Sequence, residues 1–165
     1  MVSLTVDHLV IHQGVIPVHS TPPAPAPETG APMDVEPTVV PTVLLAEDDR
    51  EMRAMLAKAL RKAGYLVQEC PDGLQLLDLL GAVLFLHKGG ETIDLIISDV
   101  RMPGATGQEV LEQFHNCQGF PPMILITAFG DELAHVKAEW FGAAAMFDKP
   151  FDVDALIAKV GELLS

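Results

Sequence analysis

A chain of 165 residues with 49% hydrophobic and 20% charged residues can fill the core of one ordinary domain, and global disorder is excluded. Its formal net charge of -13, with a pI near 4.6, argues against a nucleic-acid or anionic-membrane surface and favours basic partners and divalent cations. No apolar run approaches the roughly 20 residues of a membrane helix, and no Lys or Arg precedes Arg50, so the basic start of a signal peptide is missing. A cytoplasmic protein is expected. Cys70 and Cys117 then read as reduced thiols, and with His115 they make too few ligands for a zinc site.

Residues 1–41 differ in composition from the rest. Eight of the 13 prolines fall there, densest in Thr21-Pro-Pro-Ala-Pro-Ala-Pro27. Such a segment is expected to form an extended, mobile tail, because it cannot bury enough surface to offset its ordering entropy. Leu9–Ile11 and Val15–Ile16 flank Gln13-Gly14 with the spacing of a small hairpin, which is marginal on its own. A natural start at Met33 is the alternative reading of the upstream residues.

From Thr42 the pattern alternates. Val43–Ala46 reads as a first strand ending in Glu47-Asp48-Asp49, followed by a helix with Met52, Met55, Leu56, Ala59, Leu60 and Ala63 at helical spacing, stopped at Gly64. Tyr65–Cys70 is a second strand. Asp72 is placed to cap a second helix that runs toward Lys88 and ends at Gly89-Gly90. Its end, Ala82–Leu86, is apolar on too many sides for a helix with one wet face. Either it extends over its own core, or it offers Phe85 as a docking surface for a partner or for a second copy in a homodimer.

Ile93–Ser98 is the third strand, closed by Asp99. A helix from Gly107 to about His115 follows, then a strand Met123–Ile126 with Thr127 at its end. A fourth helix spans Asp131–Phe141, where one of Trp140 and Phe141 is expected in the core. Ala144–Phe147 is the fifth strand, Lys149-Pro150 follows it, and Asp152 caps a last helix to Leu164. Five strands alternating with five helices imply an α/β fold, a doubly wound parallel sheet covered on both faces.

In such a sheet the carboxyl ends of the strands converge, so Glu47, Asp48, Asp99, Thr127 and Lys149 are expected in one pocket. Clustered carboxylates raise one another's pKa unless a cation joins them. An all-oxygen set with open positions suits Mg²⁺ with a phosphate as co-ligand. A lysine and a hydroxyl beside it complete a cradle for a phosphoryl group, and Asp99 is placed to attack phosphorus. The acidic triplet can be registered as Glu47/Asp48 or as Asp48/Asp49; Ala46 in the last apolar strand position favours the first. Taken singly, each of these residues is better explained by a cap, a turn or a solvated loop; their coincidence at five matching strand ends is not.

Four segments, Val43-Leu-Leu-Ala-Glu-Asp-Asp49, Ile97-Ser-Asp-Val-Arg-Met-Pro-Gly104 with Gly107, Ile124-Leu-Ile-Thr-Ala128 and Phe147-Asp-Lys-Pro-Phe151, occur in this order. The arrangement resembles the response-regulator receiver domain of two-component signalling, closest in layout to stand-alone, chemotaxis-regulator-like members, over residues 42–165. That resemblance implies a flavodoxin-like (βα)5 fold with strand order 2-1-3-4-5. It implies that Asp99 accepts a phosphoryl group from a sensor histidine kinase or phosphotransfer protein. Mg²⁺ would be bound by Asp48, Asp99 and the Arg101 backbone carbonyl, with Glu47 acting through water. Thr127 and Lys149, helped by the N–H groups of Arg101 and Ala128, would hold the phosphoryl oxygens.

The resemblance implies a phosphorylation switch rather than an enzyme, with slow self-dephosphorylation; with the chain ending after its last helix, output is expected through another protein, or the domain serves as a relay or sink for phosphate. The alternative is a Mg²⁺-dependent phosphohydrolase with an aspartyl-phosphate intermediate, but Arg101 stands where the second acid of such enzymes is needed. A flavin site would need a Ser/Thr/Gly-rich loop where this chain has three acids. Met146 occupies the position of the family's usual switch aromatic, so the response is expected in the loop after Thr127 and in the fourth helix, without a ring rotation at 146.

Overall fold

The structure, a computed structural model, describes residues 39–86, 92–128 and 132–165. The tail up to residue 38 with its candidate hairpin, the Gly89-Gly90 stop and Asp131 lie outside the described residues. Strands and helices alternate as β1 Thr42–Ala46, α1 Arg50–Lys62, β2 Leu66–Cys70, α2 Gly73–Leu86, β3 Leu95–Asp99, α3 Gly107–Phe114, β4 Met123–Ala128, α4 Glu132–Trp140, β5 Ala145–Lys149 and α5 Val153–Leu163. All neighbouring strands are parallel, in the order β2-β1-β3-β4-β5, as expected.

The two-residue period of a strand divides the core. Leu44, Ala46, Ile96, Met123 and Leu125 pack with Leu76 and Leu80 of α2, Val110, Leu111 and Phe114 of α3, and Ala134 and Ala138 of α4. Val43, Leu45, Leu95, Ile97, Ile124 and Ile126 pack with Leu56 and Leu60 of α1 and Leu156 and Val160 of α5. Both faces of the central strands are thus covered, which is why their sequences are continuous apolar runs rather than alternating ones.

Two strands run further than their apolar stretches. Thr127 pairs with Asp148 and Ala128 with Lys149, so the polar ends belong to the ladder itself. The backbone makes those bonds whatever the side chain, and apolarity under-reports the length. Helix starts follow the sequence closely. Asp49 accepts the Met52 N–H at 2.7 Å, Asp72 the Gln75 N–H at 2.9 Å, and Asp152 the Asp154 N–H at 2.9 Å. Thr106 and Glu109 form a reciprocal capping box at the start of α3.

In α2, Leu77, Leu79, Val83 and Leu84 pack against the core beside the buried Leu76 and Leu80, while Leu74 and Phe85 stay exposed. Its broad apolar surface therefore mostly extends over its own core, and the Phe85 ring lies 6.1 Å from that of Phe114. The buried residues of α4 are only Ala134 and Ala138. Among its polar contacts, Gln108 Nε2 of α3 donates to the Ala134 carbonyl at 3.0 Å, and His135 Nε2 meets Asp148 Oδ1 of β5 at 2.8 Å. Its outer side presents Leu133, Val136 and Trp140, the last 83% exposed, whereas Phe141 packs against the core. Met146 is half-buried and lines a hollow of about 230 Å³ with His135, Ala138, Ala143 and Ala145.

Cys70 closes β2 with no exposed surface, and burial, reinforced by the charge of Asp72, pushes its thiol up to about 12. Cys117 is half-buried in the loop after α3. A thiol-alkylating reagent at pH 8 is therefore expected to modify Cys117 alone in the folded protein, and Cys70 only after denaturation, because the thiolate is the nucleophile. Mass analysis of the labelled peptides checks this; early labelling of Cys70 would contradict its burial.

Candidate functional site

The site is built where β1, β3, β4 and β5 end together. The last backbone bond of β1 comes from the Glu47 N–H to the Cys70 carbonyl, at 3.1 Å. Glu47 is 1% exposed, and Asp48 beside it is exposed. Asp49 caps α1, accepting the Met52 N–H on Oδ1, as the Glu47/Asp48 register expects. Asp99 is the last residue of β3 and 6% exposed. One carboxylate oxygen of each of Glu47, Asp48 and Asp99 lies within 4.8 Å of the others.

Both oxygens of Asp99 are engaged. Oδ1 accepts the Arg101 N–H at 2.7 Å, and Oδ2 accepts from Lys149 Nζ in a short ion pair. The same ammonium reaches Glu47 Oε2 at 2.9 Å, so one lysine bridges the two buried acids. Burial, which by itself would lower it, is outweighed at Lys149 by these two carboxylate bonds, and its pKa is raised. Burial also pushes the Glu47 carboxyl above the usual carboxylate range, with Asp99 adding repulsion against the opposing pull of Lys149.

Thr127 lies one position beyond Ile126, the ladder partner of Asp99, and is fully buried. Its hydroxyl has no hydrogen-bond partner among the described residues. An orphaned buried hydroxyl costs on the order of 1–3 kcal/mol, so a ligand oxygen arriving there would meet a donor already stripped of water. The Lys149-Pro150 peptide that follows is cis.

All five side chains singled out from the sequence therefore stand at one edge of the sheet. The donor set fits a hard divalent cation: three carboxylates, oxygen only, one of them open to solvent. Sequence reasoning missed Arg53, whose guanidinium donates to the Glu47 carbonyl at 2.6 Å. The available signal was its place four residues after the Asp49 cap, since helical side chains lean toward the N-terminus and a long one there reaches the preceding loop.

Comparison with known proteins agrees with this geometry. The model of the response regulator receiver domain matches residues 43–161. The DNA-binding transcriptional regulator NtrC of Escherichia coli (strain K12) is 33% identical over 123 residues, which cover 74% of this chain and 24% of NtrC. The transcriptional regulatory protein CpxR of the same strain is 34% identical over 122 residues, covering 74% of this chain and 48% of CpxR. The chain thus spans from about a quarter to about half of these relatives. Among solved structures, the chemotaxis response regulator CheY4 of Vibrio cholerae aligns with a TM-score of 0.64 at 27% identity, over 76% of this chain and 100% of that one. A match that begins in β1, ends in α5 and takes in every strand end just described is shared along the whole fold, and the chain belongs to the family of response regulator receiver domains.

Proposed function

We propose that residues 42–165 work as a phosphorylation-controlled switch in which Asp99 accepts a phosphoryl group from the phosphohistidine of a sensor histidine kinase or phosphotransfer protein. An Asp99 oxygen attacks phosphorus, the O–P bond forms as the P–N bond breaks, and the donor imidazole leaves. Lys149 compensates the charge on the transferred oxygens, and the Thr127 hydroxyl and the Arg101 and Ala128 N–H groups donate to them. Glu47, Asp48, Asp99 and the Arg101 carbonyl would hold Mg²⁺, which when bound supplies charge neutralisation for the phosphoryl oxygens. The acyl phosphate is then lost only slowly, and output passes to another protein through the surface near α4.

The observation that carries this reading is Asp99 itself: a buried carboxylate, held on both oxygens, beside a lysine and a buried hydroxyl without a partner among the described residues. Incubation with a small phosphodonor such as acetyl phosphate and Mg²⁺ is expected to add the mass of one phosphoryl group, with no gain when the cation is chelated. An unchanged intact mass with Mg²⁺ present would overturn the proposal.

A further inference from the structure

Arg53 of α1 stands where the site needs a backbone partner. Its N–H bonds the Asp49 carbonyl at 2.9 Å, and its guanidinium folds back over the turn between β1 and α1. Nη1 donates to the Glu47 carbonyl at 2.6 Å and lies 3.5 Å from that of Asp48. The pairing of β1 with β3 ends at Ala46 and Ser98, so the Glu47 carbonyl lies beyond the last paired residue and the arginine takes the place of a strand donor. From the far side, Glu69 of β2 lies 3.6 Å from Arg53 Nε and binds Arg61 with its other oxygen at 2.9 Å. The Arg53 side chain is 16% exposed, so this contact is screened less than a surface pair.

We propose that Arg53, seated by Glu69, is a positioning residue for the divalent-cation site, fixing the backbone of Glu47 and Asp48 so that their carboxylates converge on Asp99. The proposal rests on reading that pocket as a cation site. Asp48 is exposed, so its carboxylate gets its direction from the backbone that carries it. Mg²⁺ tolerates little error in ligand placement, and the partners that orient ligands typically change metal affinity by about 10–100-fold.

Two roles for the guanidinium predict opposite signs. Acting only as a nearby positive charge, it would repel the cation, and Arg53→Met would tighten binding. Acting as a seat, its removal weakens binding. Titration calorimetry with MgCl₂ alone is expected to give a Kd on the order of ten-fold higher for Arg53→Met than for the unaltered chain. Arg53→Lys, which keeps the charge and loses the planar fork, is expected to fall between the two.

Binding by Arg53→Met that equals or exceeds that of the unaltered chain overturns the inference and leaves the cation site standing. Failure of the unaltered chain to bind Mg²⁺ overturns the cation-site reading itself. Should circular dichroism find Arg53→Met unfolded, Arg53→Lys and Glu69→Gln carry the test: weakened binding in both is expected, and undiminished affinity in both overturns the role.

Discussion

Asp99→Asn is expected to take up no phosphoryl group from a small phosphodonor under conditions that load the unaltered chain, while its fold is retained. The amide is nearly isosteric with the carboxylate, so the end of β3 keeps its packing, but it lacks the charge and lone pairs that attack phosphorus. The two oxygens of Asp99 now accept from the Arg101 N–H and from Lys149. An amide has one oxygen for those two donors, so Lys149 is expected to settle on Glu47, which it already reaches at 2.9 Å. Removing one of three clustered negative charges also relieves repulsion, so stability should change by no more than ~1–2 kcal/mol. Intact mass after phosphodonor treatment, beside a thermal melt, measures both quantities. Phosphoryl uptake by the folded Asp99→Asn variant at the unaltered rate would move the acceptor elsewhere.

Gly107→Ala is expected to destabilise the domain strongly. A Cβ at this position would lie 2.4 Å from the Asp99 carbonyl oxygen and 2.5 Å from Ser98 Oγ. At Gly73 a Cβ would also collide with backbone, 1.8 Å from the Ala105 carbonyl oxygen. Ser98 and Asp99 belong to β3, bonded to β1 on one side and β4 on the other, so the Asp99 carbonyl is held from both sides. Overpacking of this kind costs ~1–3 kcal/mol and more where the neighbour is fixed, so ~3 kcal/mol is expected, lowering Tm by roughly 10 °C. Gly81, with nothing within 4 Å, serves as the control; Ala there should be neutral or stabilise by up to ~1 kcal/mol. Urea unfolding of the two variants side by side decides, and equal midpoints would remove the argument.

The parts of this molecule that were legible in its sequence are those governed by local periodicity and by strand ends. Runs such as Leu95-Ile-Ile97 are apolar throughout because both sheet faces are covered, and that signal fixes the βα order. Asp49, Asp72 and Asp152 announce helix starts because a short acceptor there meets otherwise unpaired N–H groups. The site was legible for the same reason: a polar residue at the end of a buried strand has one direction to face. The registers of Glu47-Asp48-Asp49 both satisfy the pattern, with Ala46 favouring Glu47/Asp48; the structure adds that Asp49 caps α1 through the Met52 N–H. Contacts such as Arg53 with Glu69, Gln108 with the Ala134 carbonyl, and His135 with Asp148 leave no periodic trace. They join side chains brought together only by the tertiary fold.

The light anchoring of α4 bears on how a signal can leave the pocket. Two buried alanine methyls contribute roughly 0.8 kcal/mol each, and the Gln108 and His135 contacts about 1 kcal/mol each. The contacts described for α4 thus sum to only a few kcal/mol, the size of gap that separates a resting from a minor conformation. The His135 contact is rooted in Asp148, ladder partner of Thr127 and neighbour of Lys149 in the same strand. A small displacement of that strand end therefore bears directly on one of the few contacts described for the helix. On the proposed function, α4 would transmit a change in how often its outer side is rearranged, a quantity graded by occupancy, with no rotating ring at position 146 required.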